Sequence, residues 1–201
     1  LKEGYGNIDA KIIKSGDVMQ DAAEYYSLTS AEKATVANTI THDRFILCTL
    51  HRAENTDNKV NLTGIIDALN TINKTIPVVL PLHPRTKGKI ADLGLKMEFD
   101  IIDPVGYFDM IELLKKCALV MTDSGGLQKE AFFFKKNCVT MREQTEWVEL
   151  VENKVNVLVG SDTKKIIAGV EQMLGQKADF TIDLYGKGKA CENIVRELIK
   201  D

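Results

Sequence analysis

Six short apolar runs, separated by stretches with helical spacing, restrict this chain to few architectures. The runs cover residues 45–50, 77–82, 99–102, 118–122, 138–141 and 155–159. Each has strand length and little inside/outside alternation, the pattern of strands covered on both faces. Helical spacing intervenes: Leu62, Ile65, Ile66, Leu69 and Ile72 share one face of a helix predicted over 61–72. Similar patterns predict helices over 107–116, 127–135, 146–152, 163–174 and 190–199. A strand followed by a helix, repeated, predicts an α/β fold, a Rossmann-like doubly wound parallel sheet. Residues 29–32, Thr-Ser-Ala-Glu, have the form of a capping box opening a helix to about residue 38. Residues 9–14 are expected to form a strand and 19–26 a helix. Together residues 1–26 read as the tail of a preceding domain or a linker, 27–184 as the main domain and 185–201 as a closing helix. Tyr185-Gly-Lys-Gly188 marks the turn before that helix.

In such a sheet ligands bind beyond the carboxyl ends of the strands. Polar clusters follow four of the predicted strands there: His51-Arg52-Ala-Glu-Asn55, His83-Pro-Arg85, Ser124-Gly125-Gly126 and Arg142-Glu-Gln-Thr-Glu146. The third is the most telling. A strand ending in a glycine-rich turn that opens a helix presents backbone N–H groups and the positive helix end to one point, which suits a phosphate. Glu130, further along that helix, suits the two hydroxyls of a ribose. His51 suits developing negative charge on a leaving group, because an imidazolium stabilises it. Arg52, His83, Arg85 and Arg142 are candidate phosphate or carboxylate contacts, with Glu143 or Glu146 as alternative partners for Arg142. Trp147 is a candidate either for stacking or for packing, and residues 132–134, Phe-Phe-Phe, are expected to pack in a core or against another domain.

Composition excludes several classes. A net charge of −3 leaves no basic footprint for nucleic acid. No apolar run approaches the roughly 20 residues of a membrane helix. Carboxylates do not cluster at ligand spacing, and Cys48, Cys117, Cys138 and Cys191 form no C-x-x-C pair, so no metal and no cofactor is expected. The cysteines read as reduced, buried or half-buried thiols of a cytoplasmic protein. No signal region precedes the first strand and residue 1 is Leu, so the chain is expected to begin partway through a longer protein. The absence of an early G-x-G-x-x-G argues against a nicotinamide enzyme.

In this order, the motifs resemble the carboxyl-terminal half of the non-hydrolysing UDP-N-acetylglucosamine 2-epimerases, over about residues 43–198. The carriers are His51-Arg52-Ala53-Glu54-Asn55, Leu80-Pro-Leu-His83, Thr122-Asp-Ser-Gly-Gly126 with Gln128 and Glu130, and Tyr185-Gly186-Lys-Gly188. The resemblance implies the C-terminal domain of a two-domain, glycosyltransferase-B-like isomerase, homodimeric when complete. It implies conversion of UDP-N-acetylglucosamine to the manno epimer by elimination and re-addition of UDP. Ser124, Gly125 and Gly126 would then hold the diphosphate, Glu130 the ribose, and His51 would assist departure of UDP. His51, Arg52 and His83 would also line a regulatory UDP-sugar site of bacterial members. The catalytic carboxylates of an amino-terminal domain are not in this sequence, so the chain alone is expected to be inactive. Trp147-Val148 stands where many members have Arg-Pro, and resembles relatives acting on UDP-2,3-diacetamido-glucuronate; Lys187 replaces the usual Asp. The remaining alternatives are the donor half of a UDP-sugar glycosyltransferase, which the His-Arg-x-Glu-Asn element disfavours, and a non-catalytic nucleotide-sugar sensor.

Overall fold

The computed structural model describes Gly6, Asp9 and residues 11–200. In chain order the elements are α1 (Val18–Ser27), α2 (Ser30–Lys33), β1 (Ile46–Thr49), α3 (Ala53–Thr56), α4 (Lys59–Asn73), β2 (Val78–Pro81), α5 (Pro84–Asp92), β3 (Asp100–Ile102), α6 (Tyr107–Lys116), β4 (Leu119–Thr122), α7 (Gly125–Phe133), β5 (Cys138–Thr140), α8 (Val148–Glu152), β6 (Asn156–Leu158), α9 (Thr163–Gly175) and α10 (Ala190–Leu198). All six strands pair in parallel in the order β3-β2-β1-β4-β5-β6. This is the Rossmann order, with its topological switch point between β1 and β4.

Alternation along the strands divides the core into two layers. Ile46, Cys48, Val78, Leu80, Leu119 and Met121 face α4, α5 and α9, meeting Leu62, Ile65, Leu69, Ile90, Ile166 and Val170. Phe45, Leu47, Val79 and Val120 face the other way, onto Leu113, Leu114, Leu127 and Ala131 of α6 and α7. With both faces covered, the central strands β1 and β4 are apolar up to their last residues, as the sequence pattern requires. A smaller cluster of Phe132, Leu150, Val155 and Tyr185 joins α7 to the C-terminal segment, with Phe133 and Phe180 packed on it. The Tyr185 turn runs through left-handed backbone at Gly186, Lys187 and Gly188 (φ 89°, 50° and 69°), and α10 follows. α1 packs against α6, α7 and α10.

Some local readings are corrected. The helix predicted from residue 29 to about 38 ends at Lys33, and Thr29 makes no capping bond. The capping box loses to a distant carboxylate: Asp109 accepts the N–H groups of Thr35 at 2.8 Å and Ala37 at 2.9 Å, drawing the chain out of the helix. The strand expected over 9–14 does not form over 11–14, and residue 10 lies outside the described residues. Helix α5, for which the apolar spacing gave no expectation, forms because His83 caps it and Pro84 occupies its first turn. Among the four free cysteines, Cys191 is exposed rather than buried. Among the described residues no helix is long and apolar enough to cross a membrane.

Candidate functional site

The carboxyl ends of β1 and β4 are tied together before the chain turns away. Thr49 and Thr122 are register partners, and their hydroxyls meet at 2.7 Å. The Thr122 hydroxyl also accepts the N–H of Ser124 at 2.9 Å, which sets the turn into α7. Ser124 is the N-cap, its hydroxyl accepting from Leu127 N–H at 3.4 Å. The first N–H groups of α7, at Gly125 and Gly126, have no carbonyl partner within the helix. Gln128 braces the turn from below: its amide donates to Ser124 O (3.1 Å) and its oxygen accepts from Thr145 (2.7 Å) and Asn156 (3.0 Å).

A cleft of about 300 Å³ opens at this switch point, lined by Thr49, His51, Pro81, His83, Ser124 and Glu130 among others. Three of the predicted clusters thus converge on one cavity. A larger cavity of about 370 Å³, lined by Phe132, Phe180 and Tyr185, lies near the C-terminal segment and away from the strand ends. Burial pushes the Glu130 carboxyl above the ordinary carboxylate range, opposed by the Tyr107 phenol and the charge of Lys129. Tyr107 is itself pushed up to about 12 by burial and by the charge of Glu130. His83 accepts the Arg85 N–H on Nδ1 at 3.2 Å, so it is both cap of α5 and wall of the cleft.

The residue that sequence reasoning passed over is Asp123. It is fully buried just after β4 and meets four donors. Its carboxylate accepts from the N–H of His51 (3.1 Å), the N–H of Arg52 (2.9 Å) and Asn55 Nδ2 (3.3 Å), and lies 3.1 Å from His51 Nδ1. Asn55 also donates to Met141 O at 3.0 Å. The His51–Asn55 segment is therefore fastened to both β4 and β5. Burial alone would raise the Asp123 carboxyl; the His51 ring and the Arg52 and His51 N–H groups together hold it below its ordinary value. In turn, the hydrogen bond to Asp123 raises the His51 imidazole, against burial and the neighbouring Arg52.

The arginines divide. Arg142, nearly buried, makes a bidentate pair with Glu146 (2.8 and 2.9 Å) and approaches Glu54 at 3.5 Å. That pairing holds Glu146 down to about 2. Arg52 lies 4.0 Å from Glu146 and close beside Gly125. Arg85 reaches Asp57, which Lys89 also contacts, outside the cleft lining. Trp147 packs rather than standing free: its indole N–H donates to Gly125 O at 2.8 Å, and Lys129 Nζ sits 4.2 Å from its ring centroid. Lys129 is buried and paired with Asp17 at 2.6 Å. Among the described residues no group of three or more His, Cys, Asp or Glu is placed to hold a metal ion.

Comparison with known proteins agrees with this fold. The UDP-N-acetylglucosamine 2-epimerase family matches residues 2–199. The UDP-2,3-diacetamido-2,3-dideoxy-D-glucuronate 2-epimerase of Pseudomonas aeruginosa is 53% identical over 199 residues, 98% of this chain and 55% of that protein. The UDP-N-acetylglucosamine 2-epimerase of Methanocaldococcus jannaschii is 37% identical over 211 residues, 98% of this chain and 57% of that protein. The structure of a M. jannaschii UDP-GlcNAc 2-epimerase in complex with UDP-GlcNAc and UDP superposes with a TM-score of 0.84 at 36% identity, over 96% of this chain and 56% of that one. The Neisseria meningitidis enzyme bound to UDP-GlcNAc gives 0.78 at 29% identity, over 95% and 56%. The chain spans about half the length of the curated relatives it matches. Its sheet is that of the Rossmann-like domains of these glycosyltransferase-B-like enzymes, and the chain belongs to the UDP-N-acetylglucosamine 2-epimerase family.

Proposed function

We propose that this chain is the UDP-binding C-terminal half of a UDP-sugar 2-epimerase, with the switch-point cleft as its nucleotide site. The observation that carries the reading is the convergence of His51, Ser124 and Glu130 on one cleft at the end of β1 and β4. In this reading the Ser124-Gly125-Gly126 turn and the N-terminus of α7 take the diphosphate. Glu130 accepts the ribose hydroxyls, and His51 faces the leaving diphosphate. Loss of UDP breaks the bond from C1 to the diphosphate oxygen, whose electron pair stays on UDP. The proton from C2 goes to a base outside this chain; a proton then returns to C2 on the opposite face as the UDP oxygen re-forms its bond to C1. Residues 27–184 carry the nucleotide domain, 1–26 connect it to the remainder while docking on it through α1, and 185–201 are a closing segment. The complete enzyme acts in the cytoplasm as a homodimer.

For the sugar, UDP-2,3-diacetamido-2,3-dideoxy-glucuronate now stands ahead of UDP-N-acetylglucosamine. The ranking rests on 53% identity to an enzyme of the former name against 37% to one of the latter. The Trp147-Val148 departure, with its indole hydrogen-bonded to Gly125 O, favours the same order.

Calorimetric titration of the 201-residue chain with UDP tests the site. Saturable binding is expected, weakened about ten- to a hundredfold in Ser124→Ala, since one hydrogen bond to a charged group contributes about 1.5–3 kcal/mol. A folded chain that takes up no UDP, or whose affinity is unchanged in Ser124→Ala, speaks against it. Comparing the two UDP-sugars in the complete enzyme decides the substrate.

A further inference from the structure

We infer that Asp123 is a positioning residue for the UDP-sugar chemistry: it fixes the His51 ring with Nδ1 turned inward and Nε2 open to the cleft, while binding the His51–Asn55 turn to the sheet. The inference rests on the cleft being the diphosphate site. Its structural basis is independent of that reading, because it lies entirely in this chain's own contacts.

Three features separate Asp123 from an ordinary turn-capping carboxylate. It is completely buried, whereas the His51 side chain is 55% exposed. One partner therefore belongs to the protein interior and the other to the ligand. Next, both its oxygens are used, by two backbone N–H groups, one amide and one ring nitrogen. A carboxylate satisfies four such donors because it only accepts. Lastly, the ring nitrogen that approaches the carboxylate is Nδ1, at 3.1 Å, which favours the neutral ring's proton there and leaves Nε2 without that partner.

The electrostatic consequence follows. A buried anion beside the imidazole favours the protonated ring. The other charges near the pair are Arg52, next in the chain, which opposes protonation, and Arg142, whose charge also reaches Asp123. Glu130 and His83 share the cleft walls with His51. The balance raises His51, so more of it is imidazolium than of a free ring at the same pH, and an Nε2–H on this half-exposed ring at the cleft wall can stabilise charge gained by a departing diphosphate oxygen. No proton need leave the ring for this stabilisation.

The test begins with the native chain. Long-range proton–nitrogen NMR, with His51 assigned by its loss in His51→Gln, is expected to show the Nδ1–H tautomer and a midpoint above the ordinary value of 6.5. An Nε2–H tautomer, or a midpoint at or below 6.5, overturns the inference. In Asp123→Asn the His51 midpoint should fall by about one pH unit, tenfold in proton affinity. A folded Asp123→Asn chain with an unmoved midpoint is equally fatal; should that variant not fold, the native tautomer and midpoint decide. Binding is followed with a UDP-sugar, whose diphosphate has no titrating terminal phosphate. Affinity should decline as pH rises through the native midpoint, and the decline should move to lower pH in Asp123→Asn. Absence of UDP-sugar binding would remove the proposed function, whereas the ring titration reads the Asp123 assignment separately.

Discussion

Lys129→Met is expected to lower the unfolding free energy by about 2–3 kcal/mol in urea denaturation. Lys129 lies on α7 with its side chain only 7% exposed, and its Nζ is 2.6 Å from Asp17 Oδ2. Asp17 also caps α1 by accepting Met19 N–H at 2.8 Å. Removing the cation leaves a largely buried carboxylate opposite a thioether, the situation in which a broken buried pair costs most. The Asp17 side chain retains 18% exposure and its capping bond, which keeps the loss at the lower end of that range. The attraction of Lys129 for the Trp147 ring disappears as well. Pairing the change with Asp17→Asn should recover part of the loss. If the double variant is no more stable than Lys129→Met, the ion pair is not the cause.

Glu130→Ala separates binding from folding. On the proposed site it removes the acceptor for two ribose hydroxyls, and UDP affinity should drop by about a hundredfold, the equivalent of about 3 kcal/mol. Stability should not drop with it. Burial raises the Glu130 carboxyl in the folded chain, so above the ordinary carboxylate range the ionised group opposes folding. Taking it away removes that opposition at neutral pH and has little effect in acid, where the group is protonated in both states. The expected variant is therefore as stable as the parent, or more so, and nearly blind to UDP. A fall in stability that parallels the fall in affinity would assign Glu130 to the scaffold. Glu146 behaves oppositely. Its carboxyl is held down to about 2 by Arg142, so its stabilising contribution persists at neutral pH and fades only as pH falls from 4.5 toward 2. Because half of that side chain is exposed, screening by solvent keeps the contribution small.

The sheet was legible because its strands are short apolar runs with no competing reading, and β4 with the turn after it named the ligand end. The helices with regular apolar spacing, α4, α6 and α9, were legible for the same reason. Where the reading failed, a partner distant in sequence decided the local structure. The chain after Lys33 obeys Asp109, more than seventy residues away, and nothing in the 29–38 segment announces that. Helix α5 buries only Thr86 and Ile90, too few apolar positions to mark a period. Asp123 was hidden in plain view: within the Thr122–Gly126 motif it looks like a turn residue, and its meaning appears only when β1 is laid beside β4 and His51 arrives next to it. Arg142 was readable as far as its two possible partners, and the bidentate geometry chooses Glu146.

The chain contains a single tryptophan, and the fold has put it beside the site. Its indole N–H is bonded to Gly125 O and a lysine charge lies over its ring. Intrinsic fluorescence is therefore a label-free optical gauge of this turn. An anion arriving at the first residues of α7 alters the field across the indole, so its emission should shift with occupancy before any catalysis is possible. The same signal moves again when α7 unravels, which makes one wavelength sufficient to follow both ligand arrival and loss of the fold.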